Sequence, residues 1–312
     1  MGREKNGFGP PRELKEIPMS TFFNLLANGL AIGGVYAVVA LGFTLVFKAT
    51  KVFNFAVGEF VCIGAFMVWS CSVQFHLPFV VSILLGIGGI GLLGFFCEYL
   101  FVRPMIGQPI LSIIIMTLAL SFFLNGAAIL VWGAVPASYP VYLPKGSLEI
   151  AGAAVGIDIL FCFLGTLIIG GVIAFYFERA KGSIPMRAAA EDHQVAQAAG
   201  VRVKKISTLV WIVAGIVCGI GGLFLGTIRG VDMYLPEFAL KVVPAVLVGG
   251  LESIPGAIAG GLIIGVLEKL GSGYINPLVG GGIETAIAYI IMIIFLIFRP
   301  YGLFGLKKIE RL

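Results

Sequence analysis

Residues 159–177 read ILFCFLGTLIIGGVIAFYF, residues 178–205 read ERAKGSIPMRAAAEDHQVAQAAGVRVKK, and residues 206–228 read ISTLVWIVAGIVCGIGGLFLGTI. Two uncharged apolar runs thus flank one polar island, and each run is near or above the ~20 residues that span a bilayer. Within the island, Pro185 suits the first turn of a helix and Gly200 suits the position just past one, so a short helix is predicted from about Met186 to Ala199. At helical spacing Ala188, Asp192, Ala196 and Gly200 line one face, with Ala199 beside them. A face with so little bulk admits close approach by a soluble partner. The same pattern also fits a solvated helix that only joins two spans.

Further charge-free runs extend over Thr21–Phe47 and Leu77–Cys97. With 59% hydrophobic residues, 12% charged residues and a mean hydropathy of +1.05, the chain falls outside the soluble globular class. Spans in lipid must satisfy their own backbone groups, and continuous apolar runs exclude the alternating strands of a barrel. The predicted fold is therefore an all-α integral membrane protein with about eight or nine membrane helices, some short or broken.

Lys and Arg cluster: four in residues 1–18, Lys48 and Lys51, Arg103, six from Arg179 to Lys205 and four from Arg299 to Arg311, seventeen of twenty-one in all. The positive-inside rule places the 178–205 island and the C-terminus in the cytoplasm. Five spans precede the island, at about 22–46, 54–73, 79–101, 111–132 and 157–177, so alternation puts the N-terminus outside, against its four basic residues. Either Met19 is the natural start, or residues 1–18 form an extension of little topological weight, or a segment near Asn54 is re-entrant. No cleaved signal peptide is expected, because the first apolar run is too long. The division that follows is an extension (1–18), a transmembrane domain (19–305) and a cytoplasmic tail (306–312).

Between the fourth and fifth spans, residues 133–156 form an extracytoplasmic loop in which SLEIAGAAVGID predicts a short hairpin. Beyond Ile228 the runs Phe238–Gly250 and Ile254–Leu267 are too short to span at ~1.5 Å per residue, and short or broken helices are expected. Their link, GGLESIPGAIAGG (249–261), is irregular backbone of the kind tolerated at membrane depth only beside protein or a water-filled cavity. Gly249, Gly250 and Glu252 therefore mark a translocation path, or else Gly249, Gly250 and Pro255 make a surface turn. Glycine pairs at i, i+4, such as Gly29 with Gly33 and Gly261 with Gly265, point to closely packed helices.

Ionisable residues in or beside apolar runs are Glu59, Glu98, Lys241, Glu252, Glu268, Lys269 and Glu284, each costly in lipid unless it has an interior or interfacial role. In KVFNFAVGEF (51–60), Asn54, Phe55, Gly58 and Glu59 can interrupt a helix and face a solute; a bond from Glu59 to a neighbouring helix is the alternative. Asn125, alone in an uncharged span, bonds across helices or contacts solute. Glu98, near Arg103 and Pro104, is expected to cap a helix end. The five cysteines lie in apolar spans without C-x-x-C spacing and read as packing residues, and two histidines leave a metal cluster almost without ligands. No HExxH, G-x-S-x-G or G-x-x-x-x-G-K-[ST] motif is present, so an ATP-driven process needs another polypeptide to bind the nucleotide.

KVFNFAVGEF at 51–60, Glu98 with RP at 103–104, RAAAEDHQVAQAAGV at 187–201, VLVGGLESIPGAIAGG at 246–261 and FRPYGLFG at 298–305 together resemble the LivH-type permease of ATP-binding-cassette importers for branched-chain amino acids and related solutes. The resemblance runs from about residue 20 to 305. It implies one inner-membrane permease subunit, working with a second related permease, two cytoplasmic ATPases and a periplasmic binding protein. It also implies an ATPase-coupling segment carrying Arg187, Ala188, Glu191, Asp192, Ala196 and Gly200, with no cofactor on this chain because ATP sits on the partners. Val57 departs from the family form INFAHGDF, where His is common. Importers of urea, amides or aromatic acids therefore stay open as alternatives, as does a self-sufficient channel or ion-coupled transporter using Glu59 and Glu252.

Overall fold

The computed structural model describes residues 19–140, 146–150, 153–179, 196, 198–279 and 282–305. Among them, seven helical stretches are long and apolar enough to cross a membrane. The helices are α1 (Met19–Thr50), α2 (Val57–Trp69), α3 (Phe79–Cys97), α4 (Ile110–Trp132), α5 (Ile157–Arg179), α6 (Val203–Arg229), α7 (Leu235–Leu240), α8 (Val243–Gly249), α9 (Ile254–Val279) and α10 (Ile283–Phe298). Wider π-helical turns extend α2 over Ser70–Gln74 and α3 over Glu98–Val102. The predicted hairpin is present as β1 (Ser147–Ile150) and β2 (Ala153–Gly156), antiparallel with Ser147 opposite Gly156.

The ends of α1, α3 and α6 and the start of α4 meet around a small cavity lined by Thr50, Val102, Ile113 and Ser207, which fixes one face of the bundle. A Lys51–Glu252 ion pair of 2.6 Å brings the α8–α9 turn to that face. Leu303 N–H donates to Val248 O at 2.8 Å, and Phe304 N–H to Gly249 O at 3.1 Å, so the segment after α10 ends there too. This is the island face, because α5 runs into residues 178–205 and α6 runs out of them. On the far face, Ala137 and Val231 form a backbone bridge across the ends of α4 and α6. The chain therefore crosses nine times among the described residues, one crossing being made of the two short helices α7 and α8. Helix α1 begins on the far face, as the alternation of spans requires.

Lipid gives no hydrophobic drive between helices, so contact depends on close packing. The α1–α9 seam supplies it. A Cβ added at Gly33 would lie 2.8 Å from Leu262 Cα, and one at Gly29 would lie 2.8 Å from Val266 Cα. The glycine pairs read from the sequence are thus seam residues. Helix α1 is 83% buried over its most apolar window, whereas α4 and α5 are each 22% buried and form the periphery.

Two expectations are corrected here. The Ile254–Leu267 run is not a short helix: it continues to Val279, because Ser272, Asn276 and Glu284 bond one another and Glu268 is enclosed by neighbouring helices. Glu98 does not cap a helix end at the surface. It is fully buried and accepts a 2.7 Å hydrogen bond from the Thr208 hydroxyl of α6.

Candidate functional site

Helix α1 carries the chain to the island face, and residues 51–56 then turn back, so that α2 starts deep in the bundle with Val57 near Gly42. Asn54 makes this re-entry possible, since its Oδ1 accepts the Ala56 N–H at 3.0 Å and occupies a backbone donor that a continuous helix would have satisfied. Asn54 is itself buried, and its Nδ2 has no partner among the described residues. Phe55 is half-buried, with its ring edge-on to Phe53 at 5.1 Å, and Phe53 stacks on Phe43 at 4.9 Å.

One turn further on, Glu59 lies in the first turn of α2, 5% exposed. Its Oε1 accepts from Ser121 Oγ at 3.2 Å and its Oε2 accepts from Asn125 Nδ2 at 3.3 Å, both on α4. Thr117 continues the same stripe, its hydroxyl donating to Ile114 O at 2.9 Å and lying 3.4 Å from Phe53 O. Thr117, Ser121 and Asn125 recur every fourth residue, so one face of α4 presents three polar groups to the re-entrant turn and to Glu59. Asn54, Phe55, Glu59 and Asn125 are thus brought together as a polar seam, with Asn125 bonded directly to Glu59. Ser121 and Thr117 were missed in the sequence; their i, i+4 spacing with Asn125 was the signal.

Gly249, Gly250 and Glu252 lie elsewhere, in the turn between α8 and α9 on the island face. Gly250 has φ +105° and closes α8 with its N–H on Val246 O at 2.9 Å. Ser253 caps α9 by accepting Gly256 N–H at 3.1 Å. Gly249 packs against Gly256 so closely that a Cβ there would collide with its backbone. The link is thus a closely packed turn between α8 and α9. Glu252 also lines a cleft of ≈ 140 Å³ with Phe47, Leu251, Pro300 and Tyr301.

Of the coupling residues, Arg187, Ala188, Glu191 and Asp192 lie outside the described residues, as does most of the predicted Met186–Ala199 helix. Ala196 and Gly200 lie within them. Val201 N–H donates to Ala196 O at 2.9 Å across Gly200, whose φ of +82° is the left-handed end of a helix. Ala196 is buried with Val203 at the start of α6, so the end of the island is fastened to that helix. Thr208 and Glu98 then tie the second turn of α6 to α3.

A bundle of nine crossings, with one crossing broken and a re-entrant turn leading to a bonded carboxylate inside it, defines a multi-pass helical membrane protein built around interior polar groups. Residues 25–298 match the family described as branched-chain amino acid transport system, permease component, and the chain belongs to that family. It is 30% identical over 312 residues to a probable branched-chain amino acid transport permease protein LivH of Methanocaldococcus jannaschii, covering 92% of this chain and 95% of that protein. It is 27% identical to the high-affinity branched-chain amino acid transport system permease protein BraD of Pseudomonas aeruginosa, over 93% of this chain and 98% of that protein. The permease protein LivH of Escherichia coli K12 is 25% identical over 93% and 97%. Among solved structures, PsaBC from Streptococcus pneumoniae in complex with Fab superposes with a TM-score of 0.47 at 14% identity, covering 89% of this chain and 95% of that one.

Proposed function

We propose that this chain is one permease subunit of an ATP-driven importer of branched-chain or other amino acids, forming half of a translocation path. The observation that supports this most is the family match over residues 25–298, joined to 30% identity across nearly the whole of a LivH-named relative. In this reading a second related permease completes the path, two cytoplasmic ATPases bind and hydrolyse ATP, and a periplasmic binding protein delivers the solute. The protein lies in the bacterial inner membrane. Lys48, Lys51, Arg103, Arg202, Lys204, Lys205 and Arg299 all fall at the island face, which supports a cytoplasmic position for that face and for the C-terminus.

Arg187, Ala188, Glu191, Asp192, Ala196 and Gly200 form the contact with the ATPase. Movement of that contact passes through the capped end at Gly200 into α6, and from Thr208 through Glu98 into α3. Asn54, Phe55, Glu59 and Asn125 line the path at mid-membrane, while Gly249, Gly250 and Glu252 shape its island-face mouth beside the Glu252 cleft.

The test is purification of the C-terminally tagged chain from native membranes, followed by mass spectrometry of what stays bound. A Walker-motif ATPase and a second permease in stoichiometric amounts are expected. A clean homo-oligomer that takes up solute on an ion gradient overturns the reading in favour of a self-sufficient transporter. Gly200→Asp sharpens it: the protein still reaches the membrane, but ATPase recovery falls, and unchanged recovery with unchanged uptake removes the coupling assignment.

A further inference from the structure

Helix α2 carries Glu59 in its first turn and runs from there toward the far face, with Glu59, Cys62 and Phe66 along one stripe. Ala65 lies about 9 Å further along the axis than Glu59, at ~1.5 Å per residue. The way above Glu59 is closed, since Cys62, Ala65, Phe66 and Val231 are each at most 1% exposed. The Phe66 ring stacks on Trp132 at the end of α4 with centroids 5.4 Å apart, and Trp132 Nε1 donates to Ser70 Oγ at 2.6 Å. The Cys62 thiol lies 3.6 Å from Asp232 O in the turn after α6. A solute arriving from the far face meets this roof before it meets Glu59.

Two kinds of join hold the roof together. Where α2 meets α6, a Cβ added at Gly64 would lie 2.6 Å from Gly219 Cα, and one at Gly222 would collide with Val61 O. Backbones this close part only as whole helices. The other join is the strap of residues 136–140, which leaves α4 and crosses the far ends of α2 and α6. Ala137 N–H donates to Val231 O at 2.7 Å and Val231 N–H to Ala137 O at 2.8 Å. The Tyr139 hydroxyl donates to Ala65 O at 2.9 Å, and its ring lies against Gly226, where an added Cβ would come within 2.7 Å of it. Pro136, Ser138 and Pro140 are exposed, and the two prolines have no N–H to give. Among the described residues these three hydrogen bonds, rather than a packed backbone seam, fasten the strap, so it is the part of the roof that lifts without parting two helices.

We propose that the strap is the far-face gate of the translocation path, with Tyr139 as its bolt. Solute is admitted to the stripe leading to Glu59 when the pairing of Ala137 with Val231 and the bond from Tyr139 to Ala65 open together. This rests on the importer reading above and on the place of Glu59 in the path, and adds to them the element that lets solute in.

The test is a cross-link. Ala137 and Val231 exchange both backbone bonds, which sets their Cα atoms about 5.5 Å apart, within the span a disulfide bridges. Ala137→Cys with Val231→Cys is made in a Cys62→Ala background, because the Cys62 thiol lies close enough to compete for either new cysteine. Uptake of labelled L-leucine is measured in membrane vesicles carrying the whole complex, with the binding protein outside and ATP inside. Oxidation is expected to lower uptake about ten-fold relative to the same vesicles after reduction, with no such difference in the Cys62→Ala background. A disulfide that forms and leaves uptake unchanged makes the strap a fixed roof and overturns the proposal. A second readout uses the native thiols. Tyr139→Phe keeps the ring and loses the bond to Ala65 O. Labelling of Cys62 by a charged methanethiosulfonate reagent added on the far-face side is then expected to rise roughly two- to ten-fold. Cys218, equally buried, serves as the internal control and keeps its rate. Equal labelling of Cys62 in the original chain and in Tyr139→Phe means that the hydroxyl bolts nothing, and overturns the proposal even where the cysteine pair fails to assemble. No uptake of leucine or any other amino acid by the original complex removes the importer reading instead, and the Cys62 labelling still decides whether the strap opens.

Discussion

Glu59 and Glu268 are both carboxylates buried in membrane helices, and their surroundings are opposite. Glu59 has each oxygen occupied by a donor from a neighbouring helix, Ser121 on one side and Asn125 on the other. Glu268 faces a single hydroxyl, that of Tyr36 on α1, across the α1–α9 seam. A buried carboxylate held by donors on both oxygens fixes its helices in register, whereas one held by a single hydroxyl recovers less of its desolvation cost. The first carboxylate belongs to the architecture of the α2–α4 contact as well as to the proposed path, and the second to the α1–α9 seam.

That contrast is broken most directly by Glu59→Leu, which strands two partly buried donors. Stability should fall by about 2–3 kcal/mol, read as a lower unfolding midpoint in detergent. An unchanged midpoint would mean that the bonds to α4 hold nothing together. Ser121→Ala removes one donor and leaves Asn125 in place, so a smaller loss of ~0.6–1.7 kcal/mol is expected, and a double-mutant cycle with Glu59→Gln isolates the pair. Lys51→Ala breaks an ion pair whose side chains are 32% and 31% exposed, and its effect should be about 0–1 kcal/mol and fade with salt. Glu268→Leu gives the smallest change in stability, ~0 kcal/mol or a slight gain, because it replaces a buried carboxylate held by one hydroxyl with an apolar side chain of similar volume. If that substitution instead unfolds the protein as Glu59→Leu does, the two carboxylates are alike and the comparison fails.

The spans were legible because lipid enforces length and apolarity, and the five helices before the island lie close to where the charge-free runs placed them. The hairpin was legible from its turn residues and alternation, and Gly200 from its place after an alanine-rich stretch. Helix α9 was cut short in the sequence reading because Glu268, Lys269 and Ser272 look like a helix end; only the surrounding helices make those residues tolerable in its interior. Glu98 read as a surface cap for the same reason, its partner Thr208 being 110 residues away. Glu59 and Asn125 were each singled out, but that they touch is a fact of folding across 66 residues that no local pattern carries. The meeting of Tyr36 with Glu268 was likewise beyond reach, since Tyr36 in an apolar run looks like any interfacial aromatic.

The α1–α9 seam has a consequence for biosynthesis. The first helix is the most enclosed of the long spans, yet the helix that receives its glycine face, α9, is complete only at Val279, 229 residues after α1 ends at Thr50. At the ribosome's ~5–20 residues per second, α1 waits roughly 10–50 s for its partner. During that interval Gly29 and Gly33 present a bare groove to lipid and to the insertion machinery. A nascent chain halted before α9 therefore carries the glycine face of its central helix uncovered, and quality control can recognise it by that groove long before any loss of transport is felt.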